Sequence, residues 1–304
     1  MQSKYLKYGL ATLAGLVLGG SVMAQDLTGT LKKIKETGSI TIGTRDASIP
    51  FSYNDDKQQV VGYAFDICLF VVEEIKRELK LPKLEVKQNP VTSATRIPLI
   101  ANGTVDLECG STTNNAERQK QVDFGPTYYL TASRYVSKTA SGIKDIKGLK
   151  GKTVVSTAGT TNLKLLIEAN KEQNLDMNIL TAKDHSEGFL MVETGRAAAF
   201  VMDDILLAGL VANSKAPKDY VISSDAFSKP EPYGFMMRRD DPQFKKVVDA
   251  AAAKLYKSAE MQTLYSKWFE KPIPPKGVNL NQPMTAELKK ALANPTNNPD
   301  PASY

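Results

Sequence analysis

The chain has 304 residues, 39 basic against 33 acidic, with 42% hydrophobic content, an ordinary balance for a globular protein with room for two compact domains or one large one. Charge is scattered without a basic run or interleaved aromatics, so nucleic acid is not expected as a partner. No repeat or low-complexity block precedes the tail, and with one histidine no zinc motif or metal cluster is available, so neither metal nor cofactor is expected.

Residues 1–24 are expected to be a signal peptide that is removed. Lys4 and Lys7 precede the apolar run Gly9 to Ala24, whose Val22-Met23-Ala24 ending fits signal-peptidase cleavage before Gln25. The competing reading, a retained anchor, asks for ~20 apolar residues, and Gly15, Gly19 and Gly20 interrupt this run. No cysteine stands at the cleavage point, so no lipid anchor is expected, and no later stretch is apolar enough to span a bilayer. The expectation is an exported, soluble protein on the far side of a membrane. Removing the leader takes away two lysines and no acids, leaving 37 basic against 33 acidic residues, a formal +4.

From there strands and helices alternate. Ser39 to Gly43 reads as a strand, Tyr63 to Leu79 as a helix, Leu84 to Gln88 as a strand, Arg96 to Asn102 as a helix stopped by Gly103, and Val105 to Cys109 as a strand. A second series runs Thr153 to Ser156 (strand), Asn162 to Lys171 (helix), Asn178 to Leu180 (strand), Glu187 to Thr194 (helix), Ala198 to Met202 (strand) and Asp204 to Asn213 (helix). Each series is a β-α-β-α unit. A strand near Tyr233 to Arg238 and helices Pro242 to Lys257 and Ala259 to Phe269 are assigned to the first unit, which the chain must return to cover. The proline-rich tail leaves room for one helix, Thr285 to Ala293, and its last ten residues are expected to be disordered.

The predicted fold is α/β and two-lobed, each lobe a mostly parallel sheet flanked by helices. Residues 25–130 with 228–304 form lobe 1 and residues 131–227 lobe 2. Chain crossings near Tyr129 to Arg134 and Ser224 to Lys229 make a two-strand hinge.

Glu108 to Arg118 is the most informative stretch. It sets Ser111, Thr112 and Thr113, then the planar fork of Arg118, at the end of an apolar strand, where free backbone N–H groups also converge. That is chemistry for a carboxylate, although the same residues would serve as a helix cap and a solvated arginine. Open α/β sheets bind ligands at the carboxyl ends of their strands. Arg45, Ser93 with Arg96, Ser111 to Arg118, Gly159-Thr160-Thr161, His185, and Asp203 with Asp204 all fall at such strand-to-helix junctions. Phe51, Tyr53 and Tyr63 either wall this cleft or belong to the core. Cys68 and Cys109 can pair after export, but each lies in an apolar pattern, and two small core residues are the simpler account.

The strings Gly43-Thr44-Arg45, Ile49-Pro50-Phe51-Ser52-Tyr53, Glu108 to Asn115, Ser156 to Thr161, Ala182-Lys183-Asp184-His185, Met202-Asp203-Asp204, Asp240 to Lys246 and Trp268-Phe269 complete a pattern over the whole mature chain. It closely resembles the periplasmic glutamate/aspartate-binding proteins of ABC uptake systems, in the polar amino-acid branch of solute-binding protein family 3. One departure is Ala64 in Gly62-Tyr63-Ala64-Phe65-Asp66, where the wider family has an acid.

The resemblance implies the type II periplasmic-binding-protein fold, and that Arg45, Ser93, Arg96 and His185 hold the ligand's side-chain carboxylate. It implies Ser111, Thr113, Thr161 and Arg118 for the α-carboxylate, and Asp203 or Asp204 for the α-ammonium; Thr160 is counted with the ligand set. The expected ligand is L-glutamate or L-aspartate, the expected partner an inner-membrane ABC permease, and the expected state a monomer. Independently, three arginines with one aspartate mirror an amino acid bearing two carboxylates and one ammonium, with a positive surplus. A different class stays open: an exported enzyme on the same scaffold, such as a dehydratase acting on a small carboxylate, for which only His185 and the Asp203/Asp204 pair offer acid or base.

Overall fold

The computed structural model describes residues 26–304; the expected signal peptide lies outside the described residues. The chain enters through α1 (Gly29–Thr37), a helix not anticipated because Leu31 and Ile34 are its only buried apolar residues. It is anchored from far along the chain by the Asp241 carboxylate, which accepts from Thr30 N at 2.7 Å, and it ends at Gly38 in the left-handed region.

Strand β1 (Ser39–Thr44) follows, then a small antiparallel meander of β2 (Ala47–Ser48), β3 (Ser52–Asn54) and β4 (Val60–Val61), and then α2 (Tyr63–Glu78). Helix α2 buries Ile67, Cys68, Val71, Val72 and Ile75, the spacing of one helical face. β5 (Glu85–Pro90), α3 (Arg96–Ala101), β6 (Leu107–Glu108), β7 (Val122–Phe124) and β8 (Tyr129–Thr131) complete the outward run.

The second unit comprises β9 (Ser133–Lys138), β10 (Thr153–Thr157), α4 (Thr161–Glu172), β11 (Asn178–Ala182), α5 (His185–Glu193), β12 (Ala199–Asp203), α6 (Asp204–Ala212) and β13 (Tyr220–Ile222). The chain returns through β14 (Glu231–Tyr233) and β15 (Met236–Arg238) into α7 (Pro242–Tyr256), α8 (Ala259–Phe269) and α9 (Ala286–Ala293).

Two five-stranded sheets result, in the orders β5-β1-β6-β15-β7 and β11-β10-β12-β9-β13. Each has three parallel strands with the first in the middle, then an antiparallel strand contributed across the crossing (β15 beside β6, β9 beside β12) and an edge strand antiparallel to that one (β7, β13). The strand order switches direction next to β1 in one lobe and next to β10 in the other, so both switch points open at the same crevice. Helix α7 packs on α1 and α2, and α8 on α2 and α7.

The hinge is the antiparallel pair β8 and β14, with Tyr129 opposite Tyr233 and Thr131 opposite Glu231. The return crossing therefore lies at Glu231–Tyr233, later than the expected Ser224 to Lys229. Residues from Ser223 to Phe227 still run along β9, through Ser223 N to Tyr135 O at 2.8 Å and Phe227 N to Ser133 O at 2.7 Å. Beneath the hinge, Phe51 meets Tyr129 and Tyr233 edge-on at 5.0 and 5.2 Å, and Tyr129 stacks on Phe269. Phe51 and Tyr63 are thus core residues under the hinge, and Tyr53 is core against Trp268, each at most 1% exposed.

Two expectations are corrected. Cys68 and Cys109 form a disulfide with Cα atoms 6.1 Å apart, because α2 lies directly over the end of β6 and brings two fully buried thiols together. The last ten residues are ordered against lobe 1: Thr296 O accepts from Thr127 N, Asn297 O accepts from Asn114 Nδ2, and the Tyr304 and Thr127 hydroxyls meet at 2.8 Å. Among the described residues no helix is long and apolar enough to cross a membrane.

Candidate functional site

In lobe 1 the site grows from the ends of β1 and β6 and the start of α3. Arg45 follows β1, held by its own N–H to Ser52 Oγ at 2.9 Å, and its side chain lies across Gly110. A Cβ at Gly110 would stand 2.8 Å from Arg45 Cγ and collide with the Glu108 carboxylate, so glycine is required for this close approach. Arg45 Nη2 donates to Ser93 Oγ at 2.8 Å. Arg96, the first residue of α3, donates from Nη1 to Ser111 O at 3.0 Å and to Thr112 Oγ1. Thr112 in turn donates to Glu108 Oε2 at 2.7 Å. Arg118 donates from Nη1 to Thr113 O at 2.8 Å.

Lobe 2 meets these residues across the crevice. His185, first residue of α5 behind its Asp184 cap, places Nε2 3.4 Å from Arg45 Nη2 and Nδ1 2.9 Å from Thr157 Oγ1. A guanidinium only donates, so Nε2 carries the lone pair and Nδ1–H donates to Thr157. Thr161 Oγ1 lies 3.4 Å from Thr113 Oγ1, and Arg118 Nη2 donates to Gly159 O at 3.1 Å. Gly159, at φ +77, permits the contact: a Cβ there would lie 2.6 Å from Ala94 Cα in lobe 1. Asp203, at the end of β12, accepts from Asn162 Nδ2 at 3.2 Å and from the Tyr233 hydroxyl of the hinge strand.

Arg45, Ser93, Arg96, Ser111, Thr113, Arg118, Thr161, His185 and Asp203 therefore converge on one cleft. Two candidates do not join it. Thr160 caps α4, accepting from Leu163 N and donating to Thr157 O, so its hydroxyl is occupied locally. Asp204 turns toward the hinge, accepting from Thr131 Oγ1 at 2.7 Å and standing 3.6 Å from Arg134 Nε.

Arg45, Arg96 and Arg118 are 3%, 2% and 7% exposed, and among the described residues none forms an ion pair. Arg45 Nη1, Arg96 Nε and Ser111 Oγ are buried without a hydrogen-bond partner. Burial, reinforced by Arg96, lowers Arg45 to about 10 and Arg118 to about 9. Burial and then the Arg45 and Arg96 charges drive His185 well below 6.5, so the imidazole is neutral at physiological pH.

Two carboxyl groups in and beside this cleft escaped the sequence reading. Glu108, at 0% exposure, is linked to Arg96 through the Thr112 hydroxyl; an acid inside an apolar strand is itself a signal, since a buried carboxyl needs hydrogen-bond partners. Glu231 sits on the hinge strand and accepts from Thr161 Oγ1 at 3.5 Å. Burial raises both Asp203 and Glu231, and the Asp203 charge adds to the rise at Glu231, which reaches about 8. The three arginines thus face three acids rather than one, and the expected positive surplus depends on protonation at the Asp203 and Glu231 end. The cleft is polarised: guanidinium and hydroxyl donors fill the lobe 1 side, and carboxyl groups gather at the hinge.

Residues 40–271 match the family described as bacterial extracellular solute-binding proteins, family 3. The chain is 55% identical over 285 residues to the L-glutamate/L-aspartate-binding protein of Pseudomonas aeruginosa, covering 93% of this chain and 94% of that one. It is 46% identical over 293 residues to the glutamate/aspartate import solute-binding protein of Escherichia coli, covering 95% and 97%. Among solved structures, a mutant of the arginine-binding protein of T. maritima superposes with a TM-score of 0.70 at 26% identity, over 79% of this chain and 99% of that one. An ancestral amino-acid-binding protein described as a precursor of cyclohexadienyl dehydratase superposes with a TM-score of 0.67 at 29% identity, over 79% and 99%.

Proposed function

The chain belongs to the bacterial extracellular solute-binding proteins of family 3, and we propose that it is the periplasmic receptor of an ABC importer, capturing L-glutamate or L-aspartate between its lobes. One observation carries this reading: three buried guanidinium groups share a cleft, none has a carboxylate partner within ion-pair distance among the described residues, and donors on Arg45 and Arg96 are left unpaired. Buried charges without partners are costly, typically about 3–5 kcal/mol when one member of a pair is removed. A dicarboxylate supplies those partners.

The roles are assigned as the resemblance implies. Arg45, Ser93 and Arg96 take the side-chain carboxylate, with neutral His185 oriented by Thr157 against Arg45. Arg118, Ser111, Thr113 and Thr161 take the α-carboxylate, which sits where lobe 1 meets the N-terminus of α4. Asp203, held by Asn162 and Tyr233, takes the α-ammonium; Asp204 is committed to the hinge. Each charge-assisted hydrogen bond contributes ~1.5–3 kcal/mol, so replacing one ligand carboxylate by an amide costs about a hundredfold or more in affinity.

Ligand held by lobe 1 recruits Thr161, His185 and Asp203 from lobe 2, so the closed form gains contacts that the open form lacks. The closed shape is what the permease recognises. With the return crossing at Glu231–Tyr233, residues 26–130 with 231–304 move as one lobe and 131–230 as the other, after export through a cleaved leader, and the receptor works as a monomer. No catalytic turnover is assigned: His185 is oriented by Thr157 with Nε2 against the Arg45 guanidinium, and Asp203 serves the ligand's ammonium. A thermal-shift screen of the twenty amino acids tests the reading. Ligand at a thousand times Kd stabilises by about 4 kcal/mol, so glutamate and aspartate should head the ranking, and a screen in which neither raises the melting temperature overturns the assignment.

A further inference from the structure

Glu231 is not among the residues to which the resemblance assigns a role. It lies on hinge strand β14, two residues before Tyr233, and alternate residues of a strand share a face. That face looks into the cleft: Tyr233 donates to Asp203 Oδ2, and Glu231 Oε2 lies 3.5 Å from Thr161 Oγ1, which is itself 3.4 Å from Thr113 Oγ1. Asp203 and Thr161 belong to lobe 2, so the cluster is assembled by closure.

Resting on the ligand assignment above, we propose that Glu231 is a second carboxylate of the ammonium subsite and makes an ammonium group obligatory: closure brings Asp203 and Glu231 together, and they stay together only with a cation between them. A zwitterionic ligand supplies its ammonium. A ligand without one requires a proton instead: closure then takes one proton from water onto the carboxyl pair, leaving a neutral acid beside a carboxylate.

The other groups facing the pair do not supply that cation. Arg118 is turned to Thr113 O and Gly159 O, Arg96 to Ser111 and Thr112, and Arg134 to Asp204 and the carbonyls of Ser223 and Ser224. Asp204, next to Asp203, adds negative charge. Burial and the Asp203 charge hold Glu231 at about 8, opposed by Arg118 and the Thr161 hydrogen bond. In the open form, exposed to water, a glutamate titrates near ~4.3. Between those values, closure without an ammonium takes up a proton, so affinity for such a ligand falls as pH rises.

The test compares L-glutamate with glutarate, the same dicarboxylate without the ammonium. Calorimetric affinities are measured at pH 5.5 and 8, in two buffers of different ionisation enthalpy, for the wild type, Glu231→Gln and Glu231→Asp, with ligand-free melting temperatures recorded. His185 also titrates, but it faces both ligands alike and cancels in their affinity ratio. At pH 8 the wild type is expected to prefer glutamate by about a hundredfold or more, and at pH 5.5 the ratio narrows by at least about tenfold, with proton uptake only for glutarate. Glu231→Gln narrows the ratio at pH 8 and shrinks its pH dependence to the smaller part left by Asp203, while Glu231→Asp retains more of both effects. A wild-type ratio that is the same at both pH values, or a Glu231→Gln protein that melts normally and keeps the wild-type ratio, overturns the proposal. If Glu231→Gln fails to fold, the wild-type and Glu231→Asp ratios decide. A wild type indifferent to glutamate at both pH values overturns the ligand assignment instead.

Discussion

Arg118→Ala separates binding from folding. In the closed structure the guanidinium is 7% exposed and its two terminal nitrogens donate to Thr113 O and Gly159 O, one in each lobe. A ligand α-carboxylate beside it adds two charge-assisted hydrogen bonds of ~1.5–3 kcal/mol each, so their loss costs ~3–6 kcal/mol, or about 10²- to 10⁴-fold in affinity. The ligand-free fold has little to lose. No acid pairs with this arginine, its burial is unfavourable to its charge, and the Gly159 contact exists only when the lobes close. Calorimetry with L-glutamate should show the affinity loss, while the ligand-free melting temperature stays within about 4 °C of wild type. Unchanged affinity in a protein of unchanged stability would refute the placement of the α-carboxylate.

Gly159→Val puts a side chain against Ala94 and Ser93 of the opposite lobe and strains a backbone at φ +77, so closure is blocked. Glutamate affinity should fall by at least about a hundredfold, and scattering should show no compaction on adding ligand. The Cys68–Cys109 bridge, 41 residues apart in sequence, should contribute about 4 kcal/mol by loop-closure entropy. Reductant or a Cys68→Ala, Cys109→Ala double variant should lower the melting temperature by several degrees, and an unchanged melt would contradict the bridge. Because His185 is held neutral when folded, only the unfolded chain takes up its proton as pH falls past 6.5. Its contribution is full above that value and lost below it, so His185→Gln should flatten the acid-side decline of the melting temperature between pH 7 and 5; parallel wild-type and variant curves would contradict this.

The two β-α-β-α units were legible because buried parallel strands and amphipathic helices leave distinct periods, and because polar residues at strand ends point to one crevice. Arg45, Arg96 and His185 could be named for that reason. What escaped depends on contacts distant in sequence. Helix α1 has too few apolar residues to announce itself, and Asp241 holds it. The disulfide needed the register of α2 over β6. The tail looked unstructured from its prolines, yet Asn297 and Tyr304 bind lobe 1 through side-chain and backbone groups that carry no pattern. Glu231 lies in an unremarkable Glu-Pro-Tyr segment and acquires meaning only where the hinge sets it beside Thr161 and Asp203.

The most direct test of the cationic cleft is the affinity ratio of L-glutamate to L-glutamine, two ligands of nearly equal shape that differ by one charge. Buried Arg45 and Arg96 predict a preference for glutamate of about a hundredfold or more, worth ~2.7 kcal/mol. Equal affinities, or tighter binding of glutamine, would contradict it.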